Sequence, residues 1–239
     1  MALYDSKDMA FYLGQFDITD YSTATSLAAT RNMHDATTFG KTGITSHPGT
    51  EAPTMSWSGL YDDTAGSGSE AILSTLRDAS SSTVVSFVIN GAVGNPMYTS
   101  DGGWVIDNTT DSSVGSLVLM TSTVNLDQTT KSKSLGDKST VTASTSGTSI
   151  DDSASSSDGG SWVYHIFAIS ASGGNAQWQI KFQHSANNST WADASSVNVN
   201  AVGAAKTDVS GTLNRYVRQR VVLDASSGSI TFAASYNRA

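Results

Sequence analysis

The side chains that could carry out chemistry in this sequence are four histidines, two pairs of adjacent aspartates and many serines. His34, His47, His165 and His184 show neither His-x-x-x-His nor His-Glu-x-x-His spacing, so their pattern does not predict a zinc site. The sequence has no Gly-x-Ser-x-Gly turn between a strand and a helix, and no glycine motif for phosphate or dinucleotide binding. We therefore expect no catalytic residue, no metal and no cofactor.

The pairs Asp62-Asp63 and Asp151-Asp152 could supply the two carboxylates of a glycosidase, or ligands for calcium. Both lie in segments rich in serine, threonine and glycine, where aspartate commonly forms turns. Solvated loop aspartates are therefore the favoured interpretation. A glycoside-cleaving enzyme stays open on the condition that two carboxylates face each other across a cleft.

Trp162, Trp178 and Trp191 lie near one another in the sequence, beside Tyr164 and His184. Aromatic side chains exposed in a row on a β-sandwich could stack on sugars, which is the alternative of a carbohydrate-binding or adhesin-type protein. Trp162 and Trp178 are in register with apolar neighbours, which favours a place in the core. Trp191, within the loop sequence NNSTWAD, fits either interpretation.

Composition indicates a mainly β protein. Of 239 residues, 38% are hydrophobic and 14% charged, and all but Glu51 and Glu70 of the 21 acidic residues are aspartate. Aspartate, serine, threonine and glycine favour turns and strand ends, whereas the helix formers glutamate, lysine and leucine are scarce. Cysteine is absent, which excludes disulfides and thiolate metal sites.

Charge and hydropathy restrict the classes of binding partner and the cellular compartment that we expect for this protein. The net charge of −8 falls within residues 1–150, which hold 7 basic and 15 acidic residues, while residues 151–239 hold 6 of each. An acidic surface repels phosphate, so ordinary nucleic-acid binding is disfavoured. The N-terminal sequence MALYDSKDMAFYLG lacks the pattern of a signal peptide, and no apolar run reaches membrane-spanning length. We expect synthesis in a cytosol, a soluble protein and no membrane partner.

Periodicity predicts one helix over Ser69–Ala79, with Ser69 as its N-cap. Its apolar stripe of Ile72, Leu73 and Leu76 should pack flat on a sheet. Alternation predicts a strand over Ser116–Leu126, one-sided in its second half. The polar face of that half carries Thr121, Thr123 and Asn125.

A polar arm from Asp35 to Pro53 precedes the alternating strand Thr54–Tyr61. It carries two prolines, three glycines and almost no apolar periodicity. Connections of this length without structure of their own are uncommon in compact domains, and they are usually functional or disordered. The arm is therefore a candidate functional segment.

The low-complexity segment 145–160 is a candidate linker. It divides the chain into a first domain, residues 1–148, and a C-terminal all-β domain, residues 149–239, unless it is a loop within one large fold. The strands predicted after it form a compact β-sandwich or barrel. They are Trp162–Ser170, Gln177–His184, Val197–Ala201, Arg215–Leu223 and Ser229–Tyr236.

Three segments in order resemble the major tail tube proteins of long-tailed, siphovirus-type bacteriophages: ATTFGKTGITSHPGTEAPTMSWSGLYDD, then GTSIDDSASSSDGGSWVYHIFAISASGGNAQWQIKFQHSANNSTWADASS, then LNRYVRQRVVLDASSGSITFAASYNR. The resemblance covers most of the chain. It implies a non-enzymatic virion protein with a tail-tube β-sandwich or barrel, one flanking α-helix and a C-terminal β-sandwich-like region. In that family, subunits form hexameric rings whose inner sheets close into a continuous barrel. The rings stack into the tube that conducts DNA into the host.

The resemblance also implies partners and location. The partners are further copies of the chain in stacked rings, the tape measure protein, and the tail terminator and distal tail proteins. The location is the phage tail, after synthesis in the host cytoplasm. In the family a long loop or hairpin reaches the neighbouring ring, and the polar arm would take this role here. The arm residues expected at that contact are Asp35, Phe39, His47, Pro48 and Pro53.

A tail tube must let a DNA duplex pass without binding it specifically. Each phosphate contact by lysine or arginine adds affinity, so carboxylates and small polar groups suit the lumen. Residues 1–130 contain 14 acidic and four basic residues. The aspartates expected around the lumen are Asp5, Asp8, Asp17, Asp20, Asp101, Asp107, Asp111 and Asp127. They could instead lie in turns simply because aspartate favours turns.

Overall fold

The computed structural model describes residues 5–39 and 42–239. Strands account for 59% and helices for 6%, which confirms the mainly β class, and the described strands form open antiparallel sheets rather than a closed barrel. Within those residues there is one α-helix, α1 (Ser69–Arg77), and there are two short 3-10 helices, Ser6–Asp8 and Thr19–Tyr21. None of the described helices has the length and apolar character needed to cross a membrane.

Strands make up most of the described residues. In order they are β1 (Ala10–Leu13), β2 (Phe16–Asp17), β3 (Ser22–Ala28), β4 (Arg31–Asp35), β5 (Ser46–Glu51), β6 (Thr54–Leu60), β7 (Thr83–Val88), β8 (Pro96–Asp111), β9 (Leu119–Leu126), β10 (Thr130–Val141), β11 (Thr145–Ser146), β12 (Ile150–Asp151), β13 (Gly160–Ser172), β14 (Gln177–Ser185), β15 (Ala192–Val199), β16 (Gly203–Val209), β17 (Tyr216–Asp224) and β18 (Ser227–Arg238).

The chain divides into two compact units, each built from separate stretches of sequence. Unit 1 contains the N-terminal residues to Thr19 together with Val84–Thr99 and Thr130–Ala239. Unit 2 contains Asp20–Thr83 and Ser100–Thr129. These units follow a different division from residues 1–148 and 149–239, because β10 pairs with β18 in one sheet. The predicted boundary between residues 148 and 149 is a statement about which segment folds independently, and it stays a prediction.

Unit 1 is a β-sandwich. One sheet has the order β16-β13-β18-β10-β8-β7-β1-β2, and the other has the order β11-β17-β14-β15, with β12 also paired to β17. Trp162 on β13 stacks on Phe182 of β14, with ring centroids 6.1 Å apart, so side chains from both sheets enter one core. The core also holds Tyr164, Ile166, Trp178, Ile180, Val217, Val221, Ile230, Phe232 and Tyr236.

The turn between β13 and β14 sends the chain from one sheet of unit 1 to the other. Gly173 and Gly174 both have positive φ, 72° and 57°, which glycine adopts without steric cost. The indole N–H of Trp178 then donates to the Ser170 carbonyl across 2.9 Å. The predicted strands on either side of this turn are confirmed, and they lie in different sheets.

Unit 2 contains a four-stranded antiparallel sheet in the order β3-β6-β9-β8. The predicted alternation of β6 and β9 is confirmed, because every second side chain is buried. The indole N–H of Trp57 donates to the Ser22 hydroxyl across 2.6 Å. The buried apolar side chains of this unit include Met55, Trp57, Ile72, Leu73, Val105, Met120, Val124 and Leu126.

Helix α1 begins at Ser69 as predicted, but Ser69 is not its N-cap. The cap is Gly68, which has no side chain to accept a hydrogen bond. The Ser69 hydroxyl donates to the Leu60 carbonyl (2.7 Å) and accepts from the Asp62 N–H (3.0 Å), so it fixes the loop that enters the helix. Leu76, expected in the buried stripe, is half-buried.

Candidate assembly site

Strand β5, which lies within the polar arm, forms an antiparallel hairpin with β4, which precedes the arm except for Asp35. The composition of the arm had indicated a connection without structure of its own. At the base of the hairpin the Ala52 N–H donates to the Thr30 carbonyl (2.8 Å), and the Thr30 hydroxyl donates to the Ala52 carbonyl (2.7 Å). Arg31 and Glu51 form an ion pair beside this base, with an N···O distance of 2.9 Å. The arm is therefore a defined element with a fixed register.

The loop end of the hairpin exposes apolar side chains. Phe39 is fully exposed, and Ile44 is 82% exposed. The Asp35 carboxylate accepts hydrogen bonds from the Thr37 hydroxyl and N–H, which lower the pKa of Asp35 and fix the start of the loop. The side chains of Phe39 and Ile44 are therefore accessible for contact with another surface. Residues 40 and 41, which belong to the predicted arm, lie outside the described residues.

The five predicted arm residues divide between two elements. Asp35, Phe39, His47 and Pro48 belong to the hairpin and its loop, and all four are exposed. Pro53 is buried, and its carbonyl accepts from the Leu126 N–H across 3.0 Å. Pro53 therefore belongs to the unit 2 sheet, and a role in the hairpin contact is a proposal only for the other four.

The exposed face of the unit 2 sheet carries small polar side chains. Ser56 lies opposite Ser26 on β3 and opposite Thr123 on β9, and Ser58 is paired in the same way with Thr121. The predicted polar face of β9 is thus part of a wider one. No lysine or arginine occurs in β3, β6 or β9, or in β8 from residue 100 onward. We call this surface the polar face.

Strand β8 adds apolar and acidic groups at the border of the polar face. Trp104 and Ile106 are 40% and 50% exposed. The register shifts between Val105 and Asp107, and there the Asp107 carboxylate accepts from the Thr123 N–H across 2.7 Å. The carboxylate thereby replaces a missing strand-to-strand hydrogen bond and stays exposed.

The predicted lumen aspartates fall in both units. Asp20, Asp101, Asp107, Asp111 and Asp127 belong to unit 2, three of them on β8. Asp5, Asp8 and Asp17 belong to unit 1. Asp17 is half-buried and forms an ion pair with Lys138 at 2.6 Å, so it has a structural role of its own. Their position around a lumen stays a prediction.

The tryptophans do not form an exposed row. Trp162 and Trp178 are fully buried, which confirms the interpretation as core residues. Trp191 is half-buried, and the Arg218 guanidinium carbon lies 4.0 Å from its ring centroid. Burial lowers the pKa of Arg218, with a further contribution from Arg220. One face of the Trp191 indole is therefore occupied by a cation of the same chain.

Three of the four aspartates in these pairs have structural partners. Asp62 accepts from the Thr64 N–H and hydroxyl in the loop before α1, and these bonds lower its pKa. Asp151 pairs with Arg215, which lowers its pKa to about 2, and Asp152 accepts from Arg238. No group of three or more histidine or acidic side chains that could hold a metal occurs in the part of the chain that the structure describes.

Sequence reasoning did not identify several features of unit 1, among them strand β10, strand β16 and the cluster around Asp152. Strand β16, with the sequence GAAKTDV, has small side chains that give no alternating apolar signal. The cluster around Asp152 and Arg238 joins residues that are 86 positions apart in the chain. Asp152 differs from Asp151 in its surroundings and not in its local sequence, so no sequence signal could separate the two.

No family model and no curated protein matches the chain. Among solved structures, a chain of the virion of a native gene transfer agent particle aligns with a TM-score of 0.44 and 12% identity, over 54% of this chain and 98% of that chain. The Dit protein (gp 19.1) of SPP1, described as a paradigm of the hub adsorption apparatus in phages that infect Gram-positive bacteria, aligns with a TM-score of 0.38 and 12% identity. That alignment covers 94% of this chain and 98% of the Dit chain. Similarity at this level carries no argument about function.

Proposed function

We propose that this chain is a structural subunit of a bacteriophage tail, which polymerises as stacked hexameric rings into the tail tube. The observation that carries the proposal is the unit 2 sheet. One of its faces is buried and apolar. The other is the polar face, which has mostly small polar side chains, with Leu60 and Leu119 at one end, and no lysine or arginine in its strands. A tube wall made of such sheets would offer a DNA duplex no docking site, because phosphate binding depends on basic side chains.

The edge of this sheet supports assembly into a ring. Among the described strands, β3 pairs only with β6. The backbone groups along residues 23–28 that face away from β6 are then suited to pair with a strand of another copy. An exposed edge is a liability in a monomer, and ring closure removes it.

The exposed apolar side chains of the hairpin support the proposal that rings stack on one another. It projects Phe39 and Ile44 into solvent, which costs free energy in an isolated subunit and is offset when another surface covers them. In the proposed tube, the hairpin contacts the neighbouring ring. The tape measure protein within the tube, and the terminator and distal tail proteins at its ends, are the further partners that the sequence resemblance implies.

A non-enzymatic role is part of the proposal. The carboxylate pairs that could serve a glycosidase are engaged in a turn at Asp62 and in ion pairs at Asp151 and Asp152. A sugar-binding role has less support, because two of the three tryptophans that would form its platform are in the core.

Negative-stain electron microscopy of the purified protein tests the proposal. Tubes or stacked rings are the expected result, and monodisperse particles at all concentrations would contradict it. A density map of the tube then tests the lumen. We expect Thr121 and Thr123 to face the bore, with Asp107 and Asp111 near it. A bore of net positive potential, or the polar face on the outer wall, would contradict this arrangement.

A further inference from the structure

Unit 1 contains a pocket of about 490 Å³ whose lining is basic, although the chain as a whole has a net charge of −8. Lys131, Lys133 and Arg238 line it, together with the single carboxylate of Asp152 and the buried Tyr236. Its volume lies in the range of small-molecule sites in proteins. Three cations around one acid leave a local surplus of positive charge.

Asp152 is already saturated with donors from this chain. Its side chain is 6% exposed, and it accepts hydrogen bonds from Lys133, Arg238 and the Tyr236 hydroxyl. Burial raises the pKa of Asp152, but the three hydrogen bonds outweigh burial and hold the pKa below its ordinary value. The carboxylate is therefore ionised, and it neutralises one of the three cations.

The two lysines retain donors that have no partner among the described residues. Arg238 also donates to the backbone carbonyls of Leu213, Asn214 and Arg215, which commits its guanidinium to the fold. Lys133 has one carboxylate partner for three ammonium hydrogens, and Lys131 forms no ion pair with any described residue. The two lysines are two residues apart on β10, so their side chains leave the strand on the same face.

We propose that this pocket is an oxyanion site, in which Lys131 and Lys133 donate to a carboxylate or phosphate group. Two ammonium groups that share one anion form charge-assisted hydrogen bonds, which are stronger than neutral ones. The anion has two sources: a free anion in solution, or an acidic side chain on a second copy of the chain. The second source rests on the proposed function, and the 14 acidic residues among residues 1–130 would supply it.

Titration of the soluble protein with inorganic phosphate, followed by NMR or calorimetry, tests the site. We expect Lys131→Gln with Lys133→Gln to weaken phosphate binding at least about tenfold, since the free energy of one charged hydrogen bond corresponds to about that factor. Lys131→Gln alone, which leaves the Asp152 cluster intact, should give a smaller loss in the same direction. The matched control is Lys7→Gln with Arg77→Gln, which removes the same charge at exposed positions elsewhere. Equal binding by the double variant and the control, or no binding by the wild type, would overturn the proposal.

A polymerisation assay distinguishes the two sources of the anion, a free anion in solution and an acidic side chain of another copy. If phosphate slows polymerisation of the wild type and the double lysine variant polymerises poorly, the anion is an acidic side chain of another copy. If the variant loses phosphate binding and polymerises normally, the site takes a free anion. A wild-type protein that never polymerises contradicts the proposed function, and the phosphate titration still decides whether the oxyanion site exists.

Discussion

His165 lies in the core of unit 1 with both ring nitrogens hydrogen-bonded. The Gly14 carbonyl can only accept, so Nδ1 carries the proton and donates to it across 2.7 Å. Nε2 is then the acceptor for the Ser86 hydroxyl, also at 2.7 Å. Burial lowers the pKa of His165 to about 4, although the hydrogen bond to Gly14 and the negative charge of Asp17 both favour the charged form.

We expect the free energy of unfolding to decrease as the pH falls from 7 towards 4. An unfolded histidine binds a proton near pH 6.5, whereas folded His165 binds one only near pH 4, so unfolding takes up a proton between these values. This difference in pKa corresponds to at most about 3 kcal/mol of unfolding free energy. The stabilisation is fully present above pH 6.5 and is lost as the pH falls through the pKa of folded His165. Chemical denaturation at several pH values measures it. His165→Gln should flatten the pH dependence in this interval, and His47→Gln, in the exposed hairpin, should not; equal slopes for both would contradict the assignment.

Asp151 and Asp152 are neighbours in sequence whose removal should have very different effects. Asp152→Ala leaves the Nε of Arg238 and the Tyr236 hydroxyl without this acceptor, and it leaves the largely buried charge of Arg238 with backbone carbonyls alone. We expect a loss of about 3–5 kcal/mol of stability. Asp151→Ala removes an exposed ion pair with Arg215, which solvent screens, so we expect a much smaller loss of stability. Urea denaturation of both variants makes the comparison, and similar losses would show that the cluster around Asp152 is not a core element.

At the scale of elements, helix α1 gives a direct test of its buried face. Leu73 is fully buried, so Leu73→Asp places an unpaired charge in the core of unit 2 and should prevent folding. Thr75 is exposed on the same helix, and Thr75→Asp should remain folded. Solubility and circular dichroism measure both variants. A soluble, folded Leu73→Asp protein would show that the helix face is assigned wrongly.

The hairpin is a second element that can be removed cleanly. Thr30 and Ala52 are hydrogen-bonded across its base, so an Asn-Gly turn can join them in place of residues 31–51. We expect the shortened chain to keep its stability in urea and to lose tube growth in electron microscopy. The control is Phe39→Ser with Ile44→Ser, which keeps the hairpin and removes its exposed apolar groups, and it should slow growth. Normal tubes from the shortened chain would contradict a role in stacking.

Local periodicity was sufficient for three elements that have one buried side, although it did not reveal β8 or β10. β6, β9 and α1 bury every second side chain or one stripe, and their predicted positions are confirmed to within a few residues. The hairpin escaped prediction because all side chains of Arg31–Asp35 are exposed, so burial leaves no period in its sequence. Its register depends on backbone pairing and on the Arg31–Glu51 ion pair, which alternation does not reveal.

At the scale of the whole molecule, the pairing of distant strands limits what sequence can predict. β10 takes β18 as its partner, and β13 lies between β16 and β18. The shape of the shared core determines which strands pair. The sequence therefore predicted a sandwich or barrel for the strands after residue 160, but not which of them share a sheet or that earlier strands join them. For the candidate site it predicted the polar side chains of β9, and not the wider face that β3 and β6 complete.

Truncation after Ser149 tests the organisation of the whole chain. The truncated chain lacks β18, so β10 keeps only β8 as a neighbour, and the fully buried Leu135 would be exposed with the rest of that core. We expect an insoluble or unfolded product, measured by solubility and cooperative unfolding. A soluble, cooperatively folding fragment would instead support the predicted domain of residues 1–148.

The five tryptophans differ in their exposure to solvent, so the intrinsic fluorescence of the chain can report on which surfaces are covered. Trp57, Trp162 and Trp178 are shielded from solvent, whereas Trp104 is 40% exposed at the border of the polar face and Trp191 is half-buried beside Arg218. A collisional quencher such as acrylamide therefore reaches mainly Trp104 and Trp191, one in each unit. Fluorescence from these two indoles can follow, without any label, whether each unit becomes covered when copies of the chain associate.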